Sequence, residues 1–589
     1  LISIFLAIPV FYLSGLYRTI FRYSGWPAMF TVSKSIFLYG FSFAFLITII
    51  SFENVPRTIG IIQPLLLFFA VGVSRVAIRY WIGDLYQIRL KKSSLPKAVI
   101  YGAGNAGRKL LISLENNNEL QVTCFIDDSD EKQGRLLVGK RIYSPDYLDY
   151  LATDKNISYL LLALPNISSA RRKEIIRKVE KHNLVVRTLP SMVDLAKGKI
   201  EVDDLIELEI DDLLGREKVA PDIDLLRKNI KFKTVLVTGA GGSIGGQLSR
   251  EILKIQPNKL LLLDSNEFSL YSILDELNLL NIEGNVEVIP LLTSIQDSKS
   301  IEIILKTWNP NTVYHAAAYK HVPIVEHNLA EGVKNNVLGT LCLAKASLKT
   351  GVDDFVFIST DKAVRPTNVM GATKRLCEIC LLSLFADESE NESTKFSMVR
   401  FGNVLDSSGS VIPKFRKQIK ERVPLTVTHS EITRFFMTIQ EAAELVIQAG
   451  AMAKGGDIFV LDMGQPVKIY ELAKKMIQLS GLKLKDSRNP NGDIEILITG
   501  LRPGEKLYEE LLLENNALPT KHPKIFKAKE KYMPWMELKK EIQNLEKYIS
   551  SNDLPHILII LKNLVEGFKP EGKIVDYIFN ENLKNDPIN

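Results

Sequence analysis

Three stretches at the start of the chain are apolar without the polar face of a helix resting on a soluble core: Leu1 to Leu16, Ser35 to Ser51 and Ile59 to Val73. A bilayer takes a span of ~17 to 25 residues, which each stretch reaches once its flanking aromatic and small residues are counted. Three transmembrane helices are therefore expected over residues 1–85. From about residue 90 the pattern changes to short buried-strand runs alternating with amphipathic stretches. Lys97 to Tyr101 predicts a strand, followed by a helix through Leu114, then strands at Gln121 to Ile126 and Ser158 to Ala163. The pattern restarts at Lys233 to Thr238 with a helix through Ile255, and continues in strands at Lys259 to Leu263, Val286 to Ile289, Thr312 to Tyr314 and Phe355 to Ile358. Alternation of this kind predicts parallel sheets with crossover helices. The reading is an α/β chain: transmembrane helices (1–85), a first Rossmann-like domain (90–195), a linker (196–230) and a second, larger Rossmann-like domain (231–589) ending in a small C-terminal substrate lobe. Helical patterns at Trp535 to Tyr548 and Leu554 to Val565 are expected to pack on that lobe.

Charge sets the orientation. Arg18, Arg22 and Lys34 fall between the first two apolar stretches, only Glu53 and Arg57 between the second and third, and Arg75, Arg79, Arg89, Lys91 and Lys92 after the third. Positive residues stay on the cytoplasmic side, so the first connecting loop and everything beyond about residue 80 are expected in the cytoplasm, with Leu1 on the outer side. The chain opens on leucine inside an apolar run, and one earlier span is expected to precede it. A net charge of +6 over 589 residues, without a dense basic block, argues against a nucleic-acid partner. The cysteines Cys124, Cys342, Cys377 and Cys380 are too few for a disulfide framework, and Cys377 and Cys380, lacking a second pair, read as buried helix residues, not as a metal site. Glu201, Asp203, Asp204, Glu207, Glu209, Asp211 and Asp212 read as an acidic, solvated connector.

Two glycine-rich turns follow predicted strands. Gly102, Gly104 and Gly107, with Asp127 about 20 residues on, are consistent with a nucleotide site or with a structural or regulatory Rossmann-like module. Gly239, Gly242 and Gly245 have the spacing of extended short-chain dehydrogenases, and Asp264 ends the next strand, where a carboxylate holds ribose hydroxyls and repels a 2′-phosphate; NAD is favoured over NADP. Ala316, Ala317 and Ala318 leave room for the cofactor, His315 reads as a packing residue, and Lys320 is placed to meet a phosphate or sugar oxygen. Asn335 and Asn336 either contact the cofactor or cap a helix. The strand Phe355 to Ile358 runs into Ser359, Thr360, Asp361 and Lys362, followed by Met370 and, one helical turn on, Lys374. Methionine stands where short-chain dehydrogenases keep tyrosine, and a thioether carries no proton. An acid and a lysine side by side at the strand end suit the removal of water.

With TGAGGSIG at Thr238 to Gly245, HAAAYKHVP at His315 to Pro323, STDKAVRPTNVMGATKR at Ser359 to Arg375, RFGNVLDSSGSVIPKF at Arg400 to Phe415, TRFFMT at Thr433 to Thr438 and LRPGEKLYEEL at Leu501 to Leu511, nearly the whole chain resembles the membrane-bound UDP-N-acetylglucosamine 4,6-dehydratases of bacterial polysaccharide synthesis. Met370 matches their larger, methionine-bearing branch; Asp406 stands where the family usually has glycine. The resemblance implies oxidation at sugar C4, loss of water across C5 and C6 and reduction at C6, NAD being regenerated each turnover. It assigns Asp361 as acid and Lys362 as base, the latter requiring a pKa roughly 3 units below ~10.4. Thr360 is expected on the C4 oxygen, Met370 beside the nicotinamide and Lys374 on its ribose, with Gly239, Gly242, Ser243, Ile244, Gly245, Asp264, Ser294, Ile295, Ala316, Ala317, Ala318 and Asn336 as further cofactor contacts. Lys320, Asn403, Val404, Ser410, Arg434, Arg502 and Glu505 are expected to hold the nucleotide sugar, the arginines on its diphosphate. A homo-oligomer through the dehydratase domain is expected. The alternatives are a 4-epimerase, disfavoured by the lost tyrosine and the Asp361–Lys362 pair, and a non-catalytic nucleotide-sugar-binding regulator of a membrane glycosylation complex.

Overall fold

The computed structural model describes residues 2–14, 26–50, 56–82, 95–117, 120–153, 157–164, 167, 169–179, 182, 184–188, 206–207, 219–281, 284–387, 394–510, 517–570 and 572–585. The chain divides into two compact units, one made of Leu1–Leu164 and Leu189–Leu205, the other of Pro165–Thr188 and Ile206–Asn589.

The first unit opens with helices α1 (Ile2–Leu13), α2 (Trp26–Ile50) and α3 (Ile59–Ile82). α2 packs against both neighbours, burying Phe11, Val32, Ile36, Tyr39, Phe43 and Ile47, and the Tyr39 hydroxyl donates to Gln63 Oε1 at 2.8 Å. Phe5, Phe37, Phe41, Phe45, Leu65 and Phe69 remain exposed, so large apolar side chains also cover the outer surface of these helices. Of the three expected spans, one window among the described residues, Val32–Ile49, is long and apolar enough to cross a bilayer; Ser3–Leu13 and Ile59–Ser74 are shorter apolar helices. Arg18, Arg22, Glu53, Arg89, Lys91 and Lys92 lie outside the described residues, as do Glu201, Asp203, Asp204, Glu209, Asp211 and Asp212 of the connector.

Strand β1 (Lys97–Tyr101) leads into α4 (Asn105–Asn117), and β2 (Gln121–Ile126), β3 (Leu136–Leu137), β4 (Lys140–Tyr143) and β5 (Tyr159–Leu162) follow. They lie in the order β3-β4-β2-β1-β5. β1 is parallel to β2 and β5 and carries the buried residues Ala98, Val99 and Ile100.

The second unit is built on a nine-stranded sheet. Its strands are β6 (Thr234–Thr238), which feeds α5 (Ser243–Lys254), then β7 (Lys259–Asp264), β8 (Glu287–Leu292), β9 (Thr312–His315) and β10 (Asp354–Ile358). After α6 (Val369–Asp387) come β11 (Lys395–Arg400), α7 (Val411–Lys420), β12 (Asp457–Leu461), β13 (Leu518–Pro519) and β14 (Ile525–Ala528), and helices α8 (Trp535–Ser550) and α9 (Leu554–Leu564). The order β8-β7-β6-β9-β10-β11-β12-β14-β13 begins as the 3-2-1-4-5-6 arrangement of a doubly wound dinucleotide fold. It reverses direction between β6 and β9, opening a crevice at their carboxyl ends. Continuous apolar runs such as Val235 to Val237 and Leu260 to Leu263 are buried, as a sheet covered on both faces requires.

The tail departs from expectation. Leu538, Ile542, Leu545, Leu554, Ile557 and Leu561 are buried in one cluster with Val369, Leu376 and Leu381 of α6, so α8 and α9 pack on the dinucleotide half and not on the substrate lobe. β14 also pairs antiparallel with β12 and widens the sheet.

Behind the end of β10 lies a buried ionic network. Arg400 is fully buried and makes a fork to Glu378, with Nε to Oε1 at 2.8 Å and the other bond, to Oε2, at 2.6 Å. Arg375 reaches Glu378 at 3.0 Å, and both arginines pair with Glu530 of the tail, at 2.6 and 2.9 Å. Burial alone raises the Glu378 pKa; the charges of Arg400 and Arg375 and their hydrogen bonds overcome this and hold it at about 2, against an ordinary 4.5. A carboxylate depressed in the folded state contributes stability that is complete above its unfolded value and vanishes as pH falls. Stability followed by urea unfolding is therefore expected to decline between pH 4.5 and about 2. Glu378→Gln, which leaves buried guanidinium charge uncompensated, is expected to cost about 3 to 5 kcal/mol at neutral pH.

Candidate active site

The strand end is shaped by hydrogen bonds to its neighbours. Ser359 donates from its amide to Val399 O (2.8 Å) and from its hydroxyl to Glu378 Oε1 (2.7 Å), so the turn is anchored to the ionic network. Thr360 caps a short 3₁₀ turn, Asp361–Ala363, and its hydroxyl donates to Asp361 Oδ1 at 2.9 Å. Lys362 Nζ lies 3.1 Å from Asp361 Oδ1, 3.3 Å from Asn403 Oδ1 and 3.4 Å from Glu509 Oε1. Burial pulls the Lys362 pKa down, but Asp361 and Glu509 outweigh it, and the net displacement is upward. This departs from the sequence-based requirement of a lysine depressed by some 3 units: two carboxylates face this ammonium and outweigh its burial. The depressed lysine is Lys374, lowered by burial to about 8; its Nζ donates to Ile358 O at 2.8 Å and lies 4.3 Å from the Phe357 ring centre.

A cavity of about 410 Å³ opens in front of this cluster. It is lined by Thr360, Lys362, Met370 and Lys374, by Ile244, Ala316 and Ala318, and by Lys320, Asn403, Val404, Ser410, Arg434, Arg502 and Glu505. Asp361 is fully buried behind Lys362 and does not line it. Gly239, Gly242, Ser243, Gly245, Asp264, Ser294, Ile295, Ala317 and Asn336 also lie outside the lining.

The glycine cradle fits a dinucleotide. Gly239 has φ +66°, and a Cβ there would come within 2.8 Å of the Ala317 backbone. One at Gly245 would fall 2.0 Å from Gly239 O. Asp264 accepts from the Gly241 amide at 2.9 Å, and no cation pairs with it among the described residues, which suits a ribose without a phosphate. In the first unit Asp127 accepts from Ala103 N at 2.8 Å in the same manner, but Lys132 sits on its carboxylate at 3.1 Å. Ser243 Oγ bridges to the amide of Ser408 at 3.0 Å, tying the cradle to the cavity wall. Ser294 Oγ turns back onto Gln296 N, and Ile295 is a core residue packed toward Gly339.

Asn336 neither caps a helix nor presents its amide to the cavity. Its Oδ1 accepts from Tyr319 N (2.8 Å) and Asn335 Nδ2 (3.1 Å), and its Nδ2 donates to Tyr319 O (3.1 Å) and Thr373 Oγ1 (3.0 Å). All four hydrogen-bonding positions are filled, and the two on Tyr319 pin the loop that carries Lys320 to α6 and its neighbours. His315 bridges Thr238 and Thr340 at 2.7 and 2.9 Å, and burial lowers its pKa to about 3, a neutral packing residue as expected. Arg434 is committed to the protein: its terminal nitrogens donate to Thr433 O at 2.7 Å and pair with Glu505 at 3.3 Å, and Nε lies 3.7 Å from Glu509. Glu505 also takes a bond from Thr428 Oγ1 and, from Arg502, the backbone amide, leaving the Arg502 side chain exposed at the cavity. The Ser410 hydroxyl, at the start of α7, is buried without a partner among the described residues. Asp406 has φ +55°, the left-handed conformation a glycine would take without strain; aspartate tolerates it better than most residues, and Arg416 meets its carboxylate at 2.6 Å.

Glu509 and Glu530 are the residues that sequence reasoning missed. Glu509 lies in the same segment as Glu505, but only the fold brings it to Lys362, 147 positions away; the demand of a buried ammonium for counter-charge is the one signal that pointed to it.

The model of the polysaccharide biosynthesis protein family matches residues 235–530. The chain belongs to this family. A second model, described as C2185-like N-terminal, matches residues 94–178. The capsular polysaccharide biosynthesis protein CapD of Staphylococcus aureus is 39% identical over 88% of this chain and 85% of its own length. Over 48% of the chain, a UDP-glucose 4-epimerase of Rickettsia rickettsii is 34% identical, covering 77% of its length, and a UDP-N-acetylglucosamine 4,6-dehydratase (inverting) of Campylobacter jejuni is 30% identical, covering 79%.

Asn336→Ala is expected to release the Tyr319 loop. The measurement is hydrogen exchange: the Tyr319 amide should lose protection while the β9 amides keep theirs, with a stability loss of about 1 to 3 kcal/mol.

Proposed function

We propose that the chain is a membrane-anchored UDP-N-acetylglucosamine 4,6-dehydratase that uses NAD and yields the 4-keto-6-deoxy sugar nucleotide for bacterial glycan synthesis. The observation carrying this reading is the convergence of Thr360, Lys362, Met370 and Lys374 on one cavity, with Asp361 in contact with Lys362 and no tyrosine at position 370. NAD, when bound, supplies reversible two-electron oxidation at sugar C4. Gly239 and Gly245 let backbone approach its pyrophosphate, Asp264 holds the adenosine ribose, and Lys374 takes the nicotinamide ribose. Thr360 hydrogen-bonds the C4 oxygen, Met370 packs without carrying a proton, and the Asp361–Lys362 pair moves the C5 proton and protonates the departing C6 hydroxyl. Lys320, Ser410 and Arg502 are available to diphosphate oxygens, whereas Arg434 acts by ordering Glu505 and Glu509. The Campylobacter relative's activity supports this reading. The Rickettsia relative favours a second one, a 4-epimerase, against which stands the methionine.

The apolar outer faces of α1, α2 and α3 support insertion in a membrane, as three spans with the catalytic unit on the cytoplasmic side. The protein is expected in the membrane fraction, released by detergent and not by high salt.

Detergent-solubilised protein given NAD and UDP-N-acetylglucosamine is expected to yield a product lighter by one water, read by mass spectrometry. An unchanged mass with a new stereoisomer would establish the epimerase, and no reaction the regulator. Replacing Asp361 by Asn and Lys362 by Met together is expected to reduce the rate by at least ~10²-fold; parental turnover in that variant would refute the assignment.

A further inference from the structure

Glu509 lies at the junction of the site and belongs to no role assigned so far. Its side chain is 3% exposed, it lines the cavity, and its Oε1 is 3.4 Å from Lys362 Nζ and 3.7 Å from Arg434 Nε. Neither contact is a hydrogen bond, and Oε2 is buried with no partner among the described residues. Asp361, the other carboxylate on Lys362, differs at one oxygen: its Oδ1 accepts from both Thr360 Oγ1 and Lys362 Nζ, while its Oδ2, like Glu509 Oε2, is buried with no partner among the described residues. Glu509 therefore accepts a hydrogen bond or a proton at either oxygen without giving up an existing hydrogen bond, whereas at Oδ1 Asp361 has two to lose.

We propose that Glu509 is a positioning residue of the acid–base centre, the acceptor onto which Lys362 transfers its proton so that the lysine meets the sugar as a neutral amine. The inference rests on the dehydratase reading above. In the transfer an N–H bond of Lys362 breaks and an O–H bond forms on Glu509, and the ion pair becomes an amine and a carboxylic acid with no net change of charge. The amine then takes the C5 proton. Lys362 and Glu509 now hold one proton more than at rest, and that proton passes to the departing C6 hydroxyl through Asp361, 3.1 Å from Lys362 Nζ, and the cavity-lining Thr360 hydroxyl bonded to it, the hydroxyl at C6 leaving as water. No proton is exchanged with solvent. The charged groups facing the pair are Asp361 and Arg434, with Glu505 paired to Arg434 on its far side at 3.3 Å and the neutral Asn403 amide on Lys362.

The test is the pH dependence of turnover by the detergent-solubilised full chain with NAD and UDP-N-acetylglucosamine. Because the pair passes the proton internally, the parental rate is expected to be flat across neutral pH. In Glu509→Gln the lysine must lose its proton to solvent, so the rate should fall at least ~10²-fold at neutral pH and climb about tenfold per pH unit toward the alkaline side. Glu509→Asp keeps a carboxylate and should keep the flat profile at a reduced rate. A Glu509→Gln profile parallel to the parental one, lower or not, would show a purely structural role and overturn the proposal, as would a sloping profile in Glu509→Asp if the glutamine variant fails to fold. Parental protein that forms no dehydrated product would instead sink the dehydratase reading itself, and the relay with it.

Discussion

The turn at the end of β10 stands on a buried charge network that burial alone would forbid. Glu378 and Arg400 are both fully buried, and each is tolerable only because the other is there. Their fork fixes α6 against β11, Arg375 adds a second guanidinium from α6, and Glu530 brings in the chain beyond β14. Ser359 hangs from the same carboxylate, so the backbone preceding Thr360, Asp361 and Lys362 is positioned by ionic contacts rather than by a loop's own preferences. This explains why a tail without chemistry of its own packs on the dinucleotide half. Glu530 and the α8 and α9 cluster close the network from behind and keep water from it.

The two lysines of the site are placed in opposite electrostatic surroundings. Lys374 is buried against an aromatic ring and a carbonyl, with no carboxylate in ion-pair contact among the described residues, and burial lowers its pKa to about 8. Lys362 has two carboxylates within 3.4 Å and is displaced upward. Were the pair to act in isolation, Lys374 would be the easier base. Its nitrogen, however, is committed to Ile358 O, where it supports the strand end. Proton chemistry at Lys362 therefore depends on where its proton goes, a matter of its neighbours more than of the lysine.

Much of this was legible in the sequence because it is local. A strand, a glycine turn, a helix and an acid about 20 residues on define a dinucleotide cradle within one continuous segment, and Gly239, Gly245 and Asp264 fall where that reading puts them. Met370 and Lys374 share a helix face, so their presence on one cavity follows from their spacing. What escaped is what long-range folding assembles: Glu509 on Lys362, Glu530 on Arg400, and the tail helices on α6. Asn336 illustrates the difference. Its residue type was read as a contact or a cap, but four partners spread from Tyr319 to Thr373 turn it into a pin. Lys362 is the sharper case, since one of the two carboxylates that raise it, Glu509, belongs to no local pattern.

The two glycine turns show why a motif alone does not decide a site. Both tie an acid at the end of the second strand to an amide of the turn, Asp127 to Ala103 and Asp264 to Gly241, at 2.8 and 2.9 Å. Backbone geometry is thus shared, and so is the need for glycine, Gly107 and Gly245 each facing a carbonyl 2.0 Å from where a Cβ would stand. The difference is one lysine. Lys132 occupies Asp127, so a ribose arriving there would have to displace an ion pair before it met an acceptor, while Asp264 faces no cation among the described residues and offers its carboxylate directly. The two turns thus share a scaffold and differ in the charge placed beside the acid.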